Sequence, residues 1–307
     1  MHSSRNKLGS FQCAIVGVGE SKVRLMFVTD FNLMRHFNLN FQYGGDIRYF
    51  TFYCLSDLHL GTIVDEKLLD TTVREIDDNP LAFWFGGGDM IEAINHKDHR
   101  FDIDTIAPWV GLKDPIGSEI EYVYEKLKKI AHKGLGLIEG NHEYTASRDW
   151  VRDVHQTLCT KLDLRSFGPA ATLNLIFRRG EGANRGGVVT FPGLIAHGTS
   201  GASKTNMVRS LAEPLSMFDV YSGIRFCLMG HTHDSNSILF NREFVDINGR
   251  KSKKCLAARM GGLMKYMGYS QRKLYKPIQP SIFKFYISPS RDMITTNLGD
   301  ITERSLV

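Results

Sequence analysis

The chain has 307 residues, of which 42% are hydrophobic and 23% charged, which is enough for one large or two small globular domains. No stretch approaches the roughly 18 uninterrupted apolar residues of a membrane span, so we expect no membrane partner. The five cysteines are scattered and never form a CxxC pair, which argues against a thiolate zinc site and favours a reducing compartment. We therefore expect a cytoplasmic protein.

The net charge of +5 is distributed unevenly along the chain. Between Ile247 and Arg291 there are eleven Lys or Arg residues and no Asp or Glu, so the remainder of the chain is net negative. This asymmetry predicts one basic face, formed by the segment 250–291.

The N-terminal residues 1–38 are the least regular part of the sequence. Phe11 to Val16 and Val23 to Val28 have the composition of two short strands, so this part is either a two-stranded extension or a poorly ordered leader. No linker or internal repeat divides the remainder. We therefore predict an N-terminal extension over 1–38 and one domain over 39–307.

From Phe41 onward, apolar strands alternate with amphipathic helices, a pattern typical of an α/β fold. The predicted strands are Tyr49 to Cys54, Leu81 to Phe85, Leu135 to Ile138, the pair Ala171 to Phe177 and Val188 to Phe191, and Ile224 to Met229. The predicted helices are Val64 to Asp78, Ser118 to His132, Arg148 to Leu162, and Ser203 to Met217 with an interruption at Pro214. A polar insert, Asn95 to Pro115, carries His96 and His99, which we interpret as rim residues.

Polar side chains follow five of these strands, at the point where each strand gives way to glycine. They are Asp57 with His59, Asp89, Asn141 with His142, His197, and His231 with His233. Because ligands bind outside the carboxyl ends of strands in α/β sheets, these strand ends can converge on one site. Apart from His142, these are four imidazoles, two carboxylates and one amide carbonyl, a set that suits Mn²⁺, Fe, Zn²⁺ or Co²⁺. Seven ligands are too many for one ion, whereas two divalent ions that share a carboxylate account for all of them.

These strand ends carry the motifs DLH, GGD, GNHE, a lone His197 and GHTH, in that order. The set resembles the calcineurin-like metallophosphoesterase superfamily over roughly Phe41 to Tyr286. The middle of the chain is similar to phage and prophage metallophosphoesterases, and DLHLG resembles the opening motif of the DNA-repair nucleases in this superfamily. The resemblance implies an αββα four-layer sandwich, with two sheets face to face and helices outside.

The resemblance also implies a role for each motif residue. The implied ligands are Asp57, His59 and His233 for the first metal, Asn141, His197 and His231 for the second, and Asp89 as the bridge. His142 corresponds to the catalytic histidine of the family rather than to a ligand. Among the possible metals we favour Mn²⁺.

Elementary chemistry indicates which reaction these residues could support. Two metal ions about 3.5–4 Å apart can generate a hydroxide at neutral pH and hold the phosphate oxygens during in-line attack on phosphorus. His142 could neutralise charge on those oxygens or provide a proton for the leaving alkoxide. Glu143 or Asp234 could orient neighbouring imidazoles, or each could simply cap a turn or face solvent.

Three functional hypotheses follow. The first is a phosphodiesterase or nuclease. The second is a protein serine/threonine phosphatase or another phosphomonoesterase, although the sequence after Asp89 lacks the DRG continuation of those phosphatases and Asp57 is not preceded by their Gly. The third is a non-catalytic, metal-stabilised scaffold that binds nucleic acid.

The basic segment 250–284 bears on the choice among these hypotheses. Its Lys and Arg residues alternate with aromatic residues that could stack on bases: Tyr266, Tyr269, Tyr275, Phe283 and Phe285. It could instead form a basic lid over an anionic active site, or a solvated face. The sequence does not determine the oligomeric state.

Overall fold

The computed structural model describes residues 14–18, 21–25, 29–30, 34–44, 47–94, 103–150, 153–180, 187–199, 210–247, 249–266, 271 and 277–302. Several residues named above lie outside these ranges, namely His96, His99, Ser203 at the start of a predicted helix, Tyr269 and Tyr275. Three of the eleven basic residues between Ile247 and Arg291 also lie outside them, namely Arg272, Lys273 and Lys276.

Strands and helices alternate over residues 50–168, and strands predominate on either side of this part. The strands are β1 (Ala14–Val18), β2 (Ser21–Leu25), β3 (Thr29–Asp30), β4 (Arg35–Tyr43), β5 (Phe50–Leu55), β6 (Ala82–Gly86), β7 (Gly134–Ile138), β8 (Ser166–Gly168), β9 (Ala170–Arg179), β10 (Val188–Ala196), β11 (Phe226–Met229), β12 (Ser235–Asp246), β13 (Gly249–Gly262), β14 (Ser281–Ser288) and β15 (Met293–Thr295). The helices are α1 (Glu66–Asp78), α2 (Pro115–Leu127), α3 (Asn141–Trp150), α4 (Val154–Lys161), α5 (Ala212–Val220) and α6 (Gly299–Thr302). The predicted α/β class is confirmed.

One hydrogen-bonded sheet joins most of the described strands. Its order is β3-β4-β9-β10-β11-β13-β14-β5-β6-β7-β8, with β12 on β13 and β15 on β14. The strands β5, β6 and β7 are parallel, and so are β10, β11 and β13. Because β14 is antiparallel to both β13 and β5, the two parallel sets run in the same direction. The carboxyl ends of β5, β6, β7, β10 and β11 therefore point the same way.

The core brings together strands that are not neighbours in the sheet. Phe41 on β4 contacts Phe83 on β6 and Phe50 on β5, with ring centroids 5.1 and 5.8 Å apart. Phe226 on β11 similarly lies 6.1 Å from Phe285 on β14. Two further apolar clusters lie outside this core. One packs α1 and α2 against β5, β6 and β7, and the other packs α5 against β10, β11 and β13.

The helices differ from the predicted ones mainly at their ends. Asp65 caps α1 by accepting the Leu68 N–H, and α1 ends before Pro80, close to the predicted end. The prediction of one helix from Arg148 to Leu162 was wrong, because α3 begins at Asn141 and a separate α4 is capped by Asp153. Pro214 lies in the first turn of α5 without interrupting it, since the first N–H groups of a helix have no partner within the helix.

The N-terminal part has two different environments. β1 and β2 form an antiparallel pair, as expected for a two-stranded extension. β4 belongs to the large sheet and pairs in parallel with β9 along its whole length. A division at residue 38 would therefore cut through β4, and the division itself stays a prediction.

Five of the described basic residues of the segment 250–291 form ion pairs with acidic residues outside it. These pairs are Arg250–Glu243, Lys253–Asp292, Lys254–Asp300, Arg259–Glu213 and Lys284–Glu75. Phe283 and Phe285 are buried in the core, so the prediction that they offer stacking surfaces was wrong. They alternate with exposed Lys284 along β14, which is the normal pattern of a strand with one buried face.

Two further observations concern the environment of the chain. Among the described residues, no helix is both long enough and apolar enough to cross a membrane. The described cysteines Cys54, Cys159, Cys227 and Cys255 are buried free thiols.

Candidate metal centre

The predicted site residues lie in the loops that follow β5, β6, β10 and β11 and at the start of α3, which comes shortly after β7. Asp57 and Asp89 come shortly after β5 and β6, and His197 directly follows β10. Backbone hydrogen bonds join the first two loops, because the Asp57 N–H donates to Gly88 O at 2.9 Å and the His59 N–H to Asp89 O at 3.0 Å. The loops are therefore held in register with each other by their own backbones.

The backbone is strained at the site residues in the loops after β5, β6 and β11. The non-glycine residues there with positive φ are Asp57 (50°), His59 (45°), Asp89 (51°), His231 (72°) and His233 (59°). Non-glycine residues rarely adopt this conformation, and such strain concentrates where a site must direct its side chains. Glycine is required beside them at Gly140, where a Cβ atom would lie 2.1 Å from Asp89 Oδ1.

The first group of possible ligands is Asp57, His59 and His233. One ligand atom from each lies within 4.8 Å of the others. The His59 and His233 rings stack with centroids 4.8 Å apart, and His233 Nε2 is 3.8 Å from Asp57 Oδ1. The Asp57 carboxylate also accepts the His231 N–H at 3.0 Å, which ties this group to the loop after β11.

The second group is Asp89, His197 and His231, which meets the same 4.8 Å criterion. Asn141 adds its amide oxygen, which is 3.0 Å from His197 Nε2 and 2.7 Å from His231 Nδ1. His197 donates from Nδ1 to Gly87 O at 2.9 Å, so its Nε2 faces the group. All the predicted members of this group are therefore brought together.

Asp89 lies between the two groups. Its Oδ2 atom is 3.1 Å from His197 Nε2 and 3.8 Å from His59 Nε2. Its Oδ1 atom accepts the His142 N–H at 2.9 Å, so the start of α3 is fixed to the same carboxylate. This position is the one expected of a bridging ligand.

Glu92 is a site residue that the sequence analysis missed. Its carboxylate accepts a hydrogen bond from His59 Nδ1 at 2.7 Å. His59 Nε2 is then buried without a hydrogen-bond partner among the described residues. An imidazole held at Nδ1 by a carboxylate, with a bare Nε2, is the arrangement of a metal-binding histidine. The only signal in the sequence was a Glu three residues after Asp89 in the same loop.

His142 is placed beside the two groups. Its ring meets His59 edge-on at 4.6 Å, and its Nδ1 donates to the Glu92 carbonyl oxygen at 2.5 Å. His59, Glu92 and His142 also satisfy the 4.8 Å criterion as a third group. In that group His59 Nδ1 and His142 Nδ1 are already engaged by Glu92, so its contacts orient the two rings.

Glu143 stabilises the loops through backbone groups rather than imidazoles. Its buried carboxylate accepts the N–H groups of Asp89, Met90 and Gly140 at 3.0, 2.6 and 3.0 Å. Asp234 accepts a hydrogen bond from Thr232 Oγ1. The expected imidazole-orienting role is therefore carried by Glu92.

The electrostatics of the cluster favour cations. Burial raises the pKa of the Asp89 carboxyl, but the facing His197 and His59 rings hold this pKa well below its usual range. Burial lowers the histidine pKa values, yet Glu92 and Asp89 raise that of His59 to about 9, and Asp89 raises that of His197 to about 10. The carboxylates thus create a negative potential in which protons or metal ions compensate the charge.

Comparisons with known proteins leave the family open. No family model matches the chain, and no curated protein matches it in sequence. Among solved structures, it is similar to a conserved uncharacterized protein of Streptococcus pneumoniae TIGR4, described as a predicted phosphoesterase, at 10% identity. That similarity covers 79% of this chain and 85% of that chain, with a TM-score of 0.32. At this TM-score it carries no weight, so function must be argued from the site.

Proposed function

We propose that this chain is a phosphoesterase that depends on two divalent metal ions and hydrolyses phosphodiesters, with nucleic acid as the leading substrate class. The observation that carries the proposal is the pair of ligand groups, each within 4.8 Å, that meet at Asp89. Four loops and the start of α3, separated by long stretches of chain, contribute to these groups. The backbones of the loops after β5, β6 and β11 are strained at the contributing residues.

The donor set fits two ions. The proposed ligands are Asp57, His59 and His233 for the first ion, Asn141, His197 and His231 for the second, and Asp89 between them. The bare, buried Nε2 of His59 supports this assignment. Mn²⁺ is the proposed resident ion, although Fe, Zn²⁺ and Co²⁺ accept the same nitrogen and oxygen donors. When bound, such ions provide Lewis acidity and a nucleophile at neutral pH.

His142 is the proposed catalytic residue. Nδ1 donates to the Glu92 carbonyl, which sets the ring orientation, and Nε2 is the atom proposed to act on the substrate. In the imidazolium form, Nε2 carries a proton that can pass to the leaving oxygen of the ester. The His142 backbone N–H is bound to Asp89, which keeps this ring beside the ligand groups.

We also infer that the fold is the αββα four-layer sandwich. The Phe41–Phe83 contact supports two sheet halves packed face to face, since β4 and β6 are far apart in the strand order. The clusters that pack α1 and α2 on one half and α5 on the other support outer helical layers. This arrangement leaves the carboxyl ends of both parallel sets at one end of the core, where the ligand loops lie.

Two aryl phosphate esters test the activity. We expect bis-p-nitrophenyl phosphate to be hydrolysed with added Mn²⁺, faster than p-nitrophenyl phosphate, and not in the presence of a chelator. A strong preference for the monoester would favour a protein phosphatase or phosphomonoesterase. Metal binding without hydrolysis of either ester would favour the nucleic-acid-binding scaffold.

Nucleic acid is the proposed partner of the basic segment 250–284. The support comes from exposed Lys251 on the β12–β13 hairpin and exposed Lys265 beyond it. Contacts to phosphates release counterions, so binding of single- or double-stranded oligonucleotides should weaken steeply with salt, and a flat response would favour a small diester. We place the activity in the cytoplasm, because free thiols are typical of a reducing compartment.

A further inference from the structure

Arg259 is a charged residue in the interior of the protein. It belongs to the basic segment 250–291 and lies on β13, but only 1% of the residue is exposed to solvent. Its guanidinium donates to three acceptors, namely Ser210 O at 2.7 Å, Gly230 O at 2.9 Å and Glu213 Oε2 at 2.7 Å. Gly230 immediately precedes His231, so one hydrogen bond of Arg259 fixes the backbone that presents this imidazole.

Glu213 extends the contact to a second ligand loop. Its Oε1 atom accepts both the N–H and the hydroxyl of Thr199, at 3.1 and 2.9 Å. Thr199 lies two residues after His197. Between them, a Cβ atom on Gly198 would come within 3.0 Å of Arg259 Nη1, so the guanidinium lies directly beneath this loop.

We propose that Arg259 and Glu213 form a positioning pair that sets the spacing of His197 and His231, and through it the affinity for the second metal ion. This inference rests on the proposed function. The two imidazoles come from different strands, and their ring nitrogens are 3.2 Å apart. Charge-assisted hydrogen bonds from a planar guanidinium have directions that a lysine ammonium cannot reproduce. None of these hydrogen bonds of Arg259 or Glu213 goes to Asp57, His59 or His233.

The chain offers a matched control in Arg225. This residue is also 1% exposed and is also paired with a carboxylate, that of Asp292. Its remaining hydrogen bonds go to Asp292 O and Lys254 O, away from the ligand loops. Arg225→Lys therefore disturbs a buried arginine to a similar extent without disturbing the loops of His197 and His231.

Calorimetric titration with Mn²⁺ alone, at a temperature where all variants are folded, tests the pair. We expect Arg259→Lys to weaken binding of the second ion by about tenfold or more, the size typical of losing a residue that orients a ligand. Binding of the first ion should weaken less, because only His233 of its ligands shares the loop held by Arg259. Glu213→Gln should weaken it less, and Arg225→Lys should bind like wild type. Equal losses for both ions in Arg259→Lys, or equal effects of Arg259→Lys and Arg225→Lys, would overturn the proposal.

Amide hydrogen exchange of the metal-free proteins separates this proposal from the proposed function. We expect Arg259→Lys, but not Arg225→Lys, to speed exchange in segments 197–199 and 230–233 while 57–60 keeps the wild-type rate. Unchanged exchange in these segments would reject the positioning pair even if wild type binds two ions. If the wild-type protein does not bind Mn²⁺, the proposed function is rejected. The part of this proposal that concerns metal affinity is then rejected too.

Discussion

Glu92 Oε2 lies 2.7 Å from Nδ1 of His59, and this hydrogen bond leaves Nε2 of the same ring as its free nitrogen. The contact joins the loop after β6 to the loop after β5. It sets both the tautomer and the direction of a histidine whose own backbone is strained at a φ of 45°.

Removal of this contact should weaken metal binding. We expect Glu92→Ala to lower Mn²⁺ affinity by about 10- to 100-fold, because His59 loses both its orientation and the charge that raises its basicity. Glu92→Gln keeps an acceptor and should lose less. Glu121→Gln, at an exposed position on α2, is the control. Wild-type affinity in Glu92→Ala would contradict the role given to this carboxylate.

Asp89→Asn should weaken both ions together. The carboxylate Oδ2 faces His197 of the second group and His59 of the first, so the substitution removes the ligand that we propose the two ions share. We expect each ion to bind more than about tenfold more weakly, because even the loss of a residue that only orients a ligand lowers metal affinity by that much. Metal analysis after dialysis measures the change, and two ions retained at full occupancy would refute the bridging assignment.

His142→Asn should separate binding from turnover. The ring lies beside the ligands and is held by Glu92, so its removal should leave two ions bound. Loss of a general acid typically costs about 10²-fold or more in rate, and we expect kcat on bis-p-nitrophenyl phosphate to fall by that much. Turnover at the wild-type rate would remove the catalytic role from this residue.

Metal affinity should rise with pH. The pKa of His59 is raised to about 9 and that of His197 to about 10, so both rings are protonated at neutral pH in the metal-free protein and must lose protons to bind an ion. Between pH 6.5 and 8.5, each such proton should strengthen apparent binding by about tenfold per pH unit. Calorimetry in buffers of different ionisation enthalpy should detect proton release, and the idea fails if none occurs.

A histidine outside the site should make the fold sensitive to acid. Burial lowers the pKa of His155 on α4 to about 4, and its Nε2 accepts a hydrogen bond from Ser166 Oγ at 2.9 Å. The unfolded chain has a histidine pKa of about 6.5 and so binds the proton first as pH falls. The contribution of His155 to the free energy of unfolding is therefore complete above about pH 6.5 and is lost as the pH falls toward about 4. Between pH 7 and 5 the loss should be about 2 kcal/mol. Urea unfolding should show that the free energy of unfolding of His155→Gln depends less steeply on pH than that of the wild type. The same pH dependence in both proteins would exclude His155 as the cause.

The sequence alone was sufficient for the α/β class and for the positions of the candidate ligands. Both depend on local patterns, since an apolar run followed by glycine marks a strand end, and Asp57, Asp89 and His197 are each read from such a run. The four-layer arrangement remains an inference, because layers are formed by packing between distant strands.

Only the tertiary structure decided which of the remaining charged residues belong to the site. Glu92 looked like an ordinary loop residue, and Arg259 looked like part of a basic surface, until strand register placed one beside His59 and the other beneath Gly230. Lys253 on β13 likewise gained a partner in Asp292, which lies in the turn between β14 and β15. A charge along the chain has no partner until the fold brings one within a few ångströms, because electrostatic and hydrogen-bonding energies depend on distance in space and not on separation in sequence.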